Sequence, residues 1–160
     1  MKGFTLLELM VTLAILAIIL GIGVSSFIPQ LDSSHARAVS DSLRASIAQT
    51  RSESITRGGS VRLCGSSDGT SCVNTFNDGW IIYHDSDNSG ALSTTDNILT
   101  WHEQEHGRLT IRSGNPLGAA ITDFGFNYRG YPSTPLTFGV NSGATNTLIE
   151  LWAYGRVEIQ

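Results

Sequence analysis

The hydrophobic and polar positions change their period twice along the chain and divide it into three parts. Residues 9–31 are 23 positions without a formal charge, long enough for one helix to cross a bilayer. Apolar and small residues then recur every three or four positions, at Ala36, Val39, Leu43, Ile47, Thr50 and Ser54. This spacing predicts an amphipathic helix that ends at Gly58-Gly59. Together the two parts predict a single helix over residues 4–57, about 80 Å long.

Beyond residue 58 the pattern shortens to β-rich segments separated by Gly, Asn, Asp and Ser. Strands are predicted at residues 60–64, 79–84, 97–102, 108–112, 123–128, 136–140, 147–153 and 156–159. Their order behind one long helix predicts an α+β fold. We expect an antiparallel sheet to lie over the second half of the helix.

The apolar run begins with a carboxylate, Glu8, which is costly in a membrane. An ionised acid at the middle of a membrane helix costs about 2.5–3.5 kcal/mol, and less near an interface. A cleaved secretory signal has a shorter apolar region with a small-x-small cut site behind it, and residues 21–25 offer only a weak site. A plain anchor explains the length of the run. It explains neither Glu8 nor the helical pattern that continues past the membrane.

The residues that precede the apolar run carry a specific motif. Gly3-Phe4-Thr5-Leu6-Leu7-Glu8 resembles the class III signal of type IV pilins and pseudopilins. The resemblance implies that a prepilin peptidase on the cytoplasmic face cleaves between Gly3 and Phe4, and that the new Phe4 amine is methylated. It also implies that Glu8 pairs with the Phe4 amine of a neighbouring subunit in a filament. That attraction is about 4 kcal/mol before desolvation is subtracted.

A simpler interpretation of the same residues is a helix capping box, since Thr5-x-x-Glu8 fits that pattern. Capping alone does not require the Gly-Phe flank, and the two interpretations are compatible. The leader, Met1-Lys2-Gly3, is shorter and less basic than is usual in the pilin family. A start site further upstream would explain that departure.

Further segments resemble the GspH/FimT subfamily, which comprises minor pilins of type IV pili and the matching minor pseudopilin of type II secretion. They are residues 51–58, Val61-Arg62-Leu63-Cys64 and Asp78-Gly79-Trp80. The resemblance implies a low-copy, non-catalytic subunit that helps to start or tip a filament, with other pilins or pseudopilins as partners. It implies a single-pass inner-membrane protein with a leader (1–3), a transmembrane and filament-core helix (4–31), an amphipathic half-helix (32–57) and a periplasmic β-rich domain (58–160).

Charge and the C-terminal sequence argue against DNA as a partner. The chain has a net charge of -4, and from Gly58 onward five arginines stand against ten acidic residues. Some relatives bind DNA for uptake through a C-terminal Gly-Arg-x-Arg. The corresponding stretch here is Gly155-Arg156-Val157-Glu158, with an acid where the second arginine belongs. Arg156 is therefore the one candidate DNA contact that this motif leaves.

Cys64 and Cys72 are the two cysteines of the chain and lie close together in sequence. In an exported domain we expect them to form a local disulfide. In the chain-entropy model, closing so short a loop stabilises the fold by about 2–3 kcal/mol.

Residues 102–106 read His-Glu-Gln-Glu-His and match the H-E-x-x-H motif of zinc proteases. That chemistry needs His102 and His106 on one helical turn, with Glu103 as the base. The residues before it have β character, and on a strand two positions four apart are separated by about 13 Å. We therefore interpret the motif as a polar strand end. A membrane-anchored zinc hydrolase is the rival function, which a helix at 102–106 would support.

An acidic segment follows the second predicted strand with the spacing of a calcium loop. Its oxygen-bearing side chains are Asp85, Asp87, Ser89, Ser93 and Asp96, with Gly90 at the sixth position. Ser89 and Asp96 are weaker ligands than is usual, and the flanks have the pattern of strands. We favour a polar hairpin loop, with calcium at these five residues as the alternative. No other cofactor is predicted.

Overall fold

The computed structural model describes residues 3–104, 110–114, 121–141, 146–151 and 156–159; for residues 21–29, 32, 146 and 157–159 it describes the backbone alone. Within these residues the chain forms one helix and eight strands. They are α1 (Leu6–Arg57), β1 (Ser60–Gly65), β2 (Gly79–Asp85), β3 (Asn97–Glu103), β4 (Thr110–Gly114), β5 (Asp123–Phe126), β6 (Leu136–Asn141), β7 (Asn146–Leu151) and β8 (Val157–Ile159). The predicted α+β fold with a long N-terminal helix is confirmed.

Both ends of α1 are set by local backbone chemistry. Thr5 is extended (φ -84°, ψ 152°), and its Oγ1 accepts the N–H of Glu8 at 3.3 Å. This cap starts the helix at Leu6, so the predicted start at residue 4 is wrong by two positions. At the other end Gly58 adopts a left-handed φ of 64°, and its N–H bonds to the carbonyl of Ile55. The helix therefore ends at Arg57, as the glycine pair predicted.

The strands form two four-stranded antiparallel sheets, so the expectation of a single sheet is wrong. Sheet A has the order β3-β2-β1-β5, and sheet B has the order β4-β6-β7-β8. The chain enters sheet B at β4, returns to sheet A at β5 and then completes sheet B. This exchange places β5 beside β1, a pairing that the local sequence pattern does not specify.

Two strands differ from the prediction by two residues at a described end. β4 runs to Gly114, past its predicted end at residue 112. The other difference lies at the end of β5. The prediction extended this strand to residue 128, whereas it ends at Phe126. Asn127 turns the chain because its carbonyl accepts the N–H of Gly130 at 2.8 Å and its Oδ1 accepts the N–H of Tyr131 at 3.1 Å. Residues 108, 109, 152 and 153, which belonged to two predicted strands, lie outside the described residues.

The core lies between the second half of α1 and the inner faces of the two sheets. Ala36, Leu43 and Ile47 on the helix are fully buried, as the amphipathic pattern predicted. They belong to one cluster with aromatic side chains of both sheets, namely Trp80, Phe124, Phe126 and Phe138. The helix contacts β1, β2 and β5 of sheet A and β6 and β7 of sheet B, so α1 holds the two sheets together.

Polar side chains on one flank of α1 link the helix to sheet A. Ser46 Oγ accepts the indole N–H of Trp80 at 2.9 Å, and Gln49 Nε2 donates to Thr100 Oγ1 at 2.9 Å. Ser42 Oγ lies 2.9 Å from His102 Nε2. These directional bonds fix the position of α1 along the sheet, which apolar packing alone leaves less specific.

The first part of α1 is exposed wherever its side chains are described. Leu6, Leu7, Met10 and Ile18 are each more than 60% exposed. Within the described residues, no helix has both the length and the apolar character needed to cross a membrane. The membrane-spanning assignment of residues 4–31 therefore stays a prediction.

Candidate processing and assembly site

The predicted cleavage position lies in a short non-helical segment immediately before α1. Residues 3–5 are outside the helix, and the side chain of Phe4 is 75% exposed. A Cβ added at Gly3 would meet no heavy atom within 4 Å. The bond between Gly3 and Phe4 is therefore open to an enzyme, and the packing of this chain does not require glycine at position 3.

Glu8 is exposed on the first turn of α1, three residues after the cap Thr5. The bond from its N–H to Thr5 Oγ1 is the forward half of a capping box. A carboxylate at this position is also stabilised by the positive end of the helix dipole, by about 0.3–1 kcal/mol. The capping bond uses the backbone N–H of Glu8 and not its carboxylate, so capping and a role of the carboxylate in assembly are compatible.

The predicted disulfide is present in the structure. Cys64, buried in β1, is bonded to Cys72 in the following loop, and their Cα atoms are 5.7 Å apart. Asp68 orders the same loop, because its Oδ1 accepts the N–H groups of Thr70 and Ser71, each at 2.8 Å. These bonds, the one from Thr70 foremost, hold the pKa of Asp68 below its ordinary value.

The structure also brings together the acidic residues of the predicted calcium loop. Carboxylate oxygens of Asp85, Asp87 and Asp96 lie within 4.8 Å of one another. Each carboxylate accepts N–H groups of its own loop: Asp85 from Ser89 and Gly90, Asp87 from Ser89, and Asp96 from Ser86 and Ser93. The loop joins β2 to β3, and Asn88 and Gly90 in it have positive φ.

This geometry is that of a polar hairpin loop in which aspartates make the turns. Asp87 Oδ2 also accepts the hydroxyls of Ser93 and Thr95, at 3.1 and 3.0 Å. Hydrogen bonds to its charged form, those from Ser89 foremost, lower the pKa of Asp87 below its ordinary value. Calcium binding by Asp85, Asp87, Ser89, Ser93 and Asp96 stays a prediction.

The H-E-x-x-H segment starts on a strand, as we interpreted it. His102 and Glu103 end β3, so this part of the motif lacks the helical geometry that a zinc hydrolase needs. The ring of His102 stacks on Trp80, with centroids 4.4 Å apart. Burial lowers the pKa of His102, because a desolvated imidazolium is disfavoured. Glu105 and His106 lie outside the described residues.

The DNA-motif position falls at the start of the last strand. Arg156 is exposed and directly precedes β8. In the β7–β8 pairing, Glu158 stands opposite Glu150. Two acidic residues therefore share this register position close to Arg156, which does not favour a phosphate backbone there.

The sequence did not predict a polar network on the outer face of sheet A. Arg62 of β1 pairs with Asp123 of β5 at 2.7 Å, and the hydroxyl of Tyr83 donates to Asp123 at 2.6 Å. Burial raises the pKa of Asp123, although the bonds from Tyr83 and Arg62 oppose that rise. Burial likewise raises the pKa of Tyr83 well above its ordinary value. The segment Val61-Arg62-Leu63-Cys64 was singled out in the sequence only for its family resemblance. Its pairing with Asp123 was not predicted, because Asp123 is 61 residues away from Arg62 in sequence.

Two family models match this chain, one at its N-terminus and one over most of the remainder. Residues 39–151 match the model of GspH, described as a type II transport protein, and residues 1–24 match the prokaryotic N-terminal methylation motif. The GspH match covers well over half of the 160 residues. Comparison with curated protein sequences gives no match.

Solved structures of similar fold include a minor pilin and a minor pseudopilin. The type IV minor pilin FimU of Pseudomonas aeruginosa is 18% identical with a TM-score of 0.57, covering 80% of this chain and 87% of that one. The minor pseudopilin EpsH from the type II secretion system of Vibrio cholerae is 12% identical with a TM-score of 0.57, covering 79% and 96%. At these identities the likeness shows a shared fold. The family-model match over residues 39–151 confirms the predicted relationship: this chain belongs to the GspH family.

Proposed function

We propose that this protein is a minor type IV pilin, a low-copy subunit that helps to start or tip a pilus and acts by assembly rather than catalysis. The observation that carries the proposal is the open environment of Gly3, where a side chain would meet nothing within 4 Å. The fold itself places no demand on position 3, and residues 1–24 match the prokaryotic N-terminal methylation motif, which supports an enzyme that reads this glycine. A prepilin peptidase that cleaves before Phe4 and methylates the new amine is such an enzyme.

Assembly then uses the end of α1 that cleavage creates. The methylated Phe4 amine of one subunit pairs with Glu8 of its neighbour, while the apolar side chains of residues 6–20 leave water together. These side chains are exposed all round the helix, and a helix that is apolar on every side needs apolar surroundings. A bilayer provides them before assembly, and the core of a filament provides them afterwards.

The same reasoning supports a location at the inner membrane, with residues 4–31 as the anchor and the β-rich domain in the periplasm. The Cys64–Cys72 bond supports this location, because disulfides persist in oxidising compartments such as the periplasm. Other pilins, the peptidase and the membrane are the partners that follow from it.

A second candidate function is that of a minor pseudopilin in type II secretion. The description of the matched family model, a type II transport protein, favours it. Both functions use the same processing and the same fold, so neither feature distinguishes them. The identity of the neighbouring genes does. Pilus genes beside this one support the first function, and a secretion operon supports the second.

Mass spectrometry of the mature protein tests the proposal. We expect Phe4 at the N-terminus, carrying one methyl group. Gly3→Ala should block cleavage and leave the melting temperature of the folded chain unchanged, since the added methyl meets open space. A mature protein that starts at Met1, or one cut after Ser25, would contradict the pilin assignment.

A further inference from the structure

The flank of α1 that lies away from β3 carries an arginine stripe, defined as Arg37, Arg44, Arg51 and Arg129. The first three residues are spaced by seven positions, which is close to two helical turns and about 10 Å. They therefore follow one line along the helix. Arg37 and Arg44 are exposed, and Arg51 is half-buried.

Arg129 lies in the turn between β5 and β6, and this turn packs against α1 beside Arg51. Its neighbour Gly130 packs against the helix so closely that an added Cβ would lie 3.1 Å from Arg51 Nε and 2.8 Å from Ile55 Cδ1. Gly130 also has a positive φ of 75°, so both packing and backbone conformation require glycine. The turn and the helix therefore form one continuous surface.

Large apolar side chains lie exposed at the same end of the stripe. Ile55 is 53% exposed, Tyr128 52% and Tyr131 49%, and the guanidinium of Arg129 stacks over the Tyr128 ring at 4.9 Å. Tyrosine and arginine are over-represented among the residues that dominate binding energy at protein interfaces. Exposed apolar groups clustered in this way mark interaction sites more often than scattered ones do.

The turn that presents the tyrosines is held in place before any partner binds. Asn127 Oδ1 accepts the N–H groups of Arg129 and Tyr131, at 2.9 and 3.1 Å. The N–H of Asn127 in turn donates to the carbonyl of Tyr131 at 3.0 Å. A rigid turn loses little conformational entropy on binding, so more of its contact energy becomes affinity.

The charge of the stripe is opposite to that of the rest of the protein. The chain has ten basic and fourteen acidic residues. The stripe holds four of the basic residues, with Asp41 as the acid between them. The remainder therefore has six basic against thirteen acidic residues. A basic stripe on an acidic protein attracts an acidic surface of a partner and repels a basic surface.

We propose that the arginine stripe and the Tyr128–Tyr131 turn dock an acidic surface of a neighbouring pilin domain in the filament. The inference rests on the proposed function, because the stripe lies on the helix whose other end carries Phe4 and Glu8. Subunits joined through that end are displaced from one another along the helix axis, and the stripe runs in that direction. DNA is a poorer occupant, because the acidic remainder of the domain opposes a long polyanion.

The test places a photo-crosslinking residue, p-benzoylphenylalanine, in the full-length chain in its own host. Ala48 is the probe position, since it is exposed between Arg44 and Arg51, and Thr70 in the disulfide loop is the control. We expect the Ala48 probe, and not the Thr70 probe, to crosslink to another pilin subunit. Mass spectrometry should map the linked peptide to an acidic segment.

Charge reversal then tests the arginines themselves. Arg44→Glu with Arg129→Glu should lower the crosslink yield at Ala48 about tenfold or more, since like charges facing each other are strongly unfavourable. Arg112→Glu, an exposed arginine on sheet B, is the matched control and should have no effect. Thermal melting should show all variants folded, and the Lys variants at 44 and 129 should retain crosslinking.

The outcomes separate this inference from the proposed function. If the unaltered chain is not processed or not incorporated into filaments, the proposed function itself is wrong. If it is incorporated and the charge-reversed chain crosslinks equally well, only the docking surface is wrong. The last measurement is the binding of a fluorescein-labelled DNA duplex, followed by its fluorescence anisotropy near 150 mM salt. Binding by the full-length chain that is lost in the charge-reversed chain would assign the stripe to nucleic acid and overturn the proposal.

Discussion

Ser42 on α1 and His102 at the end of β3 are linked by a 2.9 Å contact between Oγ and Nε2, although 60 residues separate them in sequence. The imidazole ring also stacks on Trp80, whose indole N–H bonds to Ser46 one helical turn further on. One histidine thus joins the helix to sheet A through both a polar and an aromatic contact.

A double-mutant cycle should measure the Ser42–His102 contact. We expect Ser42→Ala and His102→Ala to be coupled by about 0.5–1.5 kcal/mol, the usual net value of a hydrogen bond in a folded protein. Urea unfolding of the single and double variants gives this value. Ser52→Ala, on the exposed side of the helix, is the control and should show no coupling to His102→Ala. Additive effects of Ser42→Ala and His102→Ala would contradict the contact.

The protonation of His102 should make the fold less stable in mild acid. Its pKa is lowered from the ordinary value of 6.5 because burial disfavours the charged ring. The unfolded chain therefore binds the proton more tightly, so the contribution is present above pH 6.5 and is lost as the pH falls toward the folded-state pKa. Melting temperature between pH 7.5 and 5.5 should fall more steeply for the unaltered chain than for His102→Gln. Parallel curves would contradict this role.

Removing the Glu8 carboxylate should impair assembly and leave insertion intact. Glu8→Ala makes the apolar segment more apolar, so membrane insertion should be unchanged or improved. Incorporation into filaments should fall, because the subunit loses its partner for the neighbouring Phe4 amine. Glu8→Gln separates charge from shape and should behave like Glu8→Ala. Normal incorporation of both variants would rule out the pairing.

The hydrogen bonds to Asp87 should stabilise the acidic loop in the absence of calcium. Hydrogen bonds hold the pKa of Asp87 below its ordinary value of 3.8, so its stabilising bonds should be lost as the pH falls through the acid range below that value. Asp87→Ala should therefore lower the melting temperature at neutral pH without calcium, and this loss should narrow in acid.

Calcium titration of the same variant decides the alternative. If calcium binds, the affinity should be weak, about 10⁻⁴–10⁻³ M as in extracellular modules, and the melting temperature should rise with calcium only while Asp87 is present. For the hairpin that we favour, millimolar calcium should shift neither protein.

The domain from about residue 31 onward should not bind duplex DNA usefully near 150 mM salt. Binding needs several cations to replace condensed counterions, and the domain has an excess of acids around Arg156. An anisotropy titration measures this, and Glu158→Arg, which restores Gly-Arg-x-Arg, is the informative variant. Binding by Glu158→Arg alone would show that this departure separates the chain from DNA-binding relatives. Tight binding by the unaltered domain would make DNA uptake the better function.

Local patterns were enough to predict the elements of this protein. The period of Ala36, Leu43 and Ile47 gave the buried face of α1, and Gly58 gave its end, because both depend on residues within a few positions of each other. The motif around Glu8 indicated a type IV pilin or pseudopilin for the same reason, and the segments at residues 51–58, 61–64 and 78–80 indicated the GspH family. A cleavage signal is read as a short stretch of chain.

Contacts between distant residues were decided only by the tertiary structure. No local pattern shows that β5 leaves its neighbours to join β1, or that this step brings Asp123 to Arg62 across 61 residues. The arginine stripe shows both kinds of information. The helical spacing of Arg37, Arg44 and Arg51 is visible in the sequence. The nearness of Arg129 to them depends on the packing of Gly130 on Ile55, which is a tertiary contact. Strand pairing and helix docking are chosen by the total burial and hydrogen bonding of the folded chain, and these are properties of the whole fold rather than of any short segment.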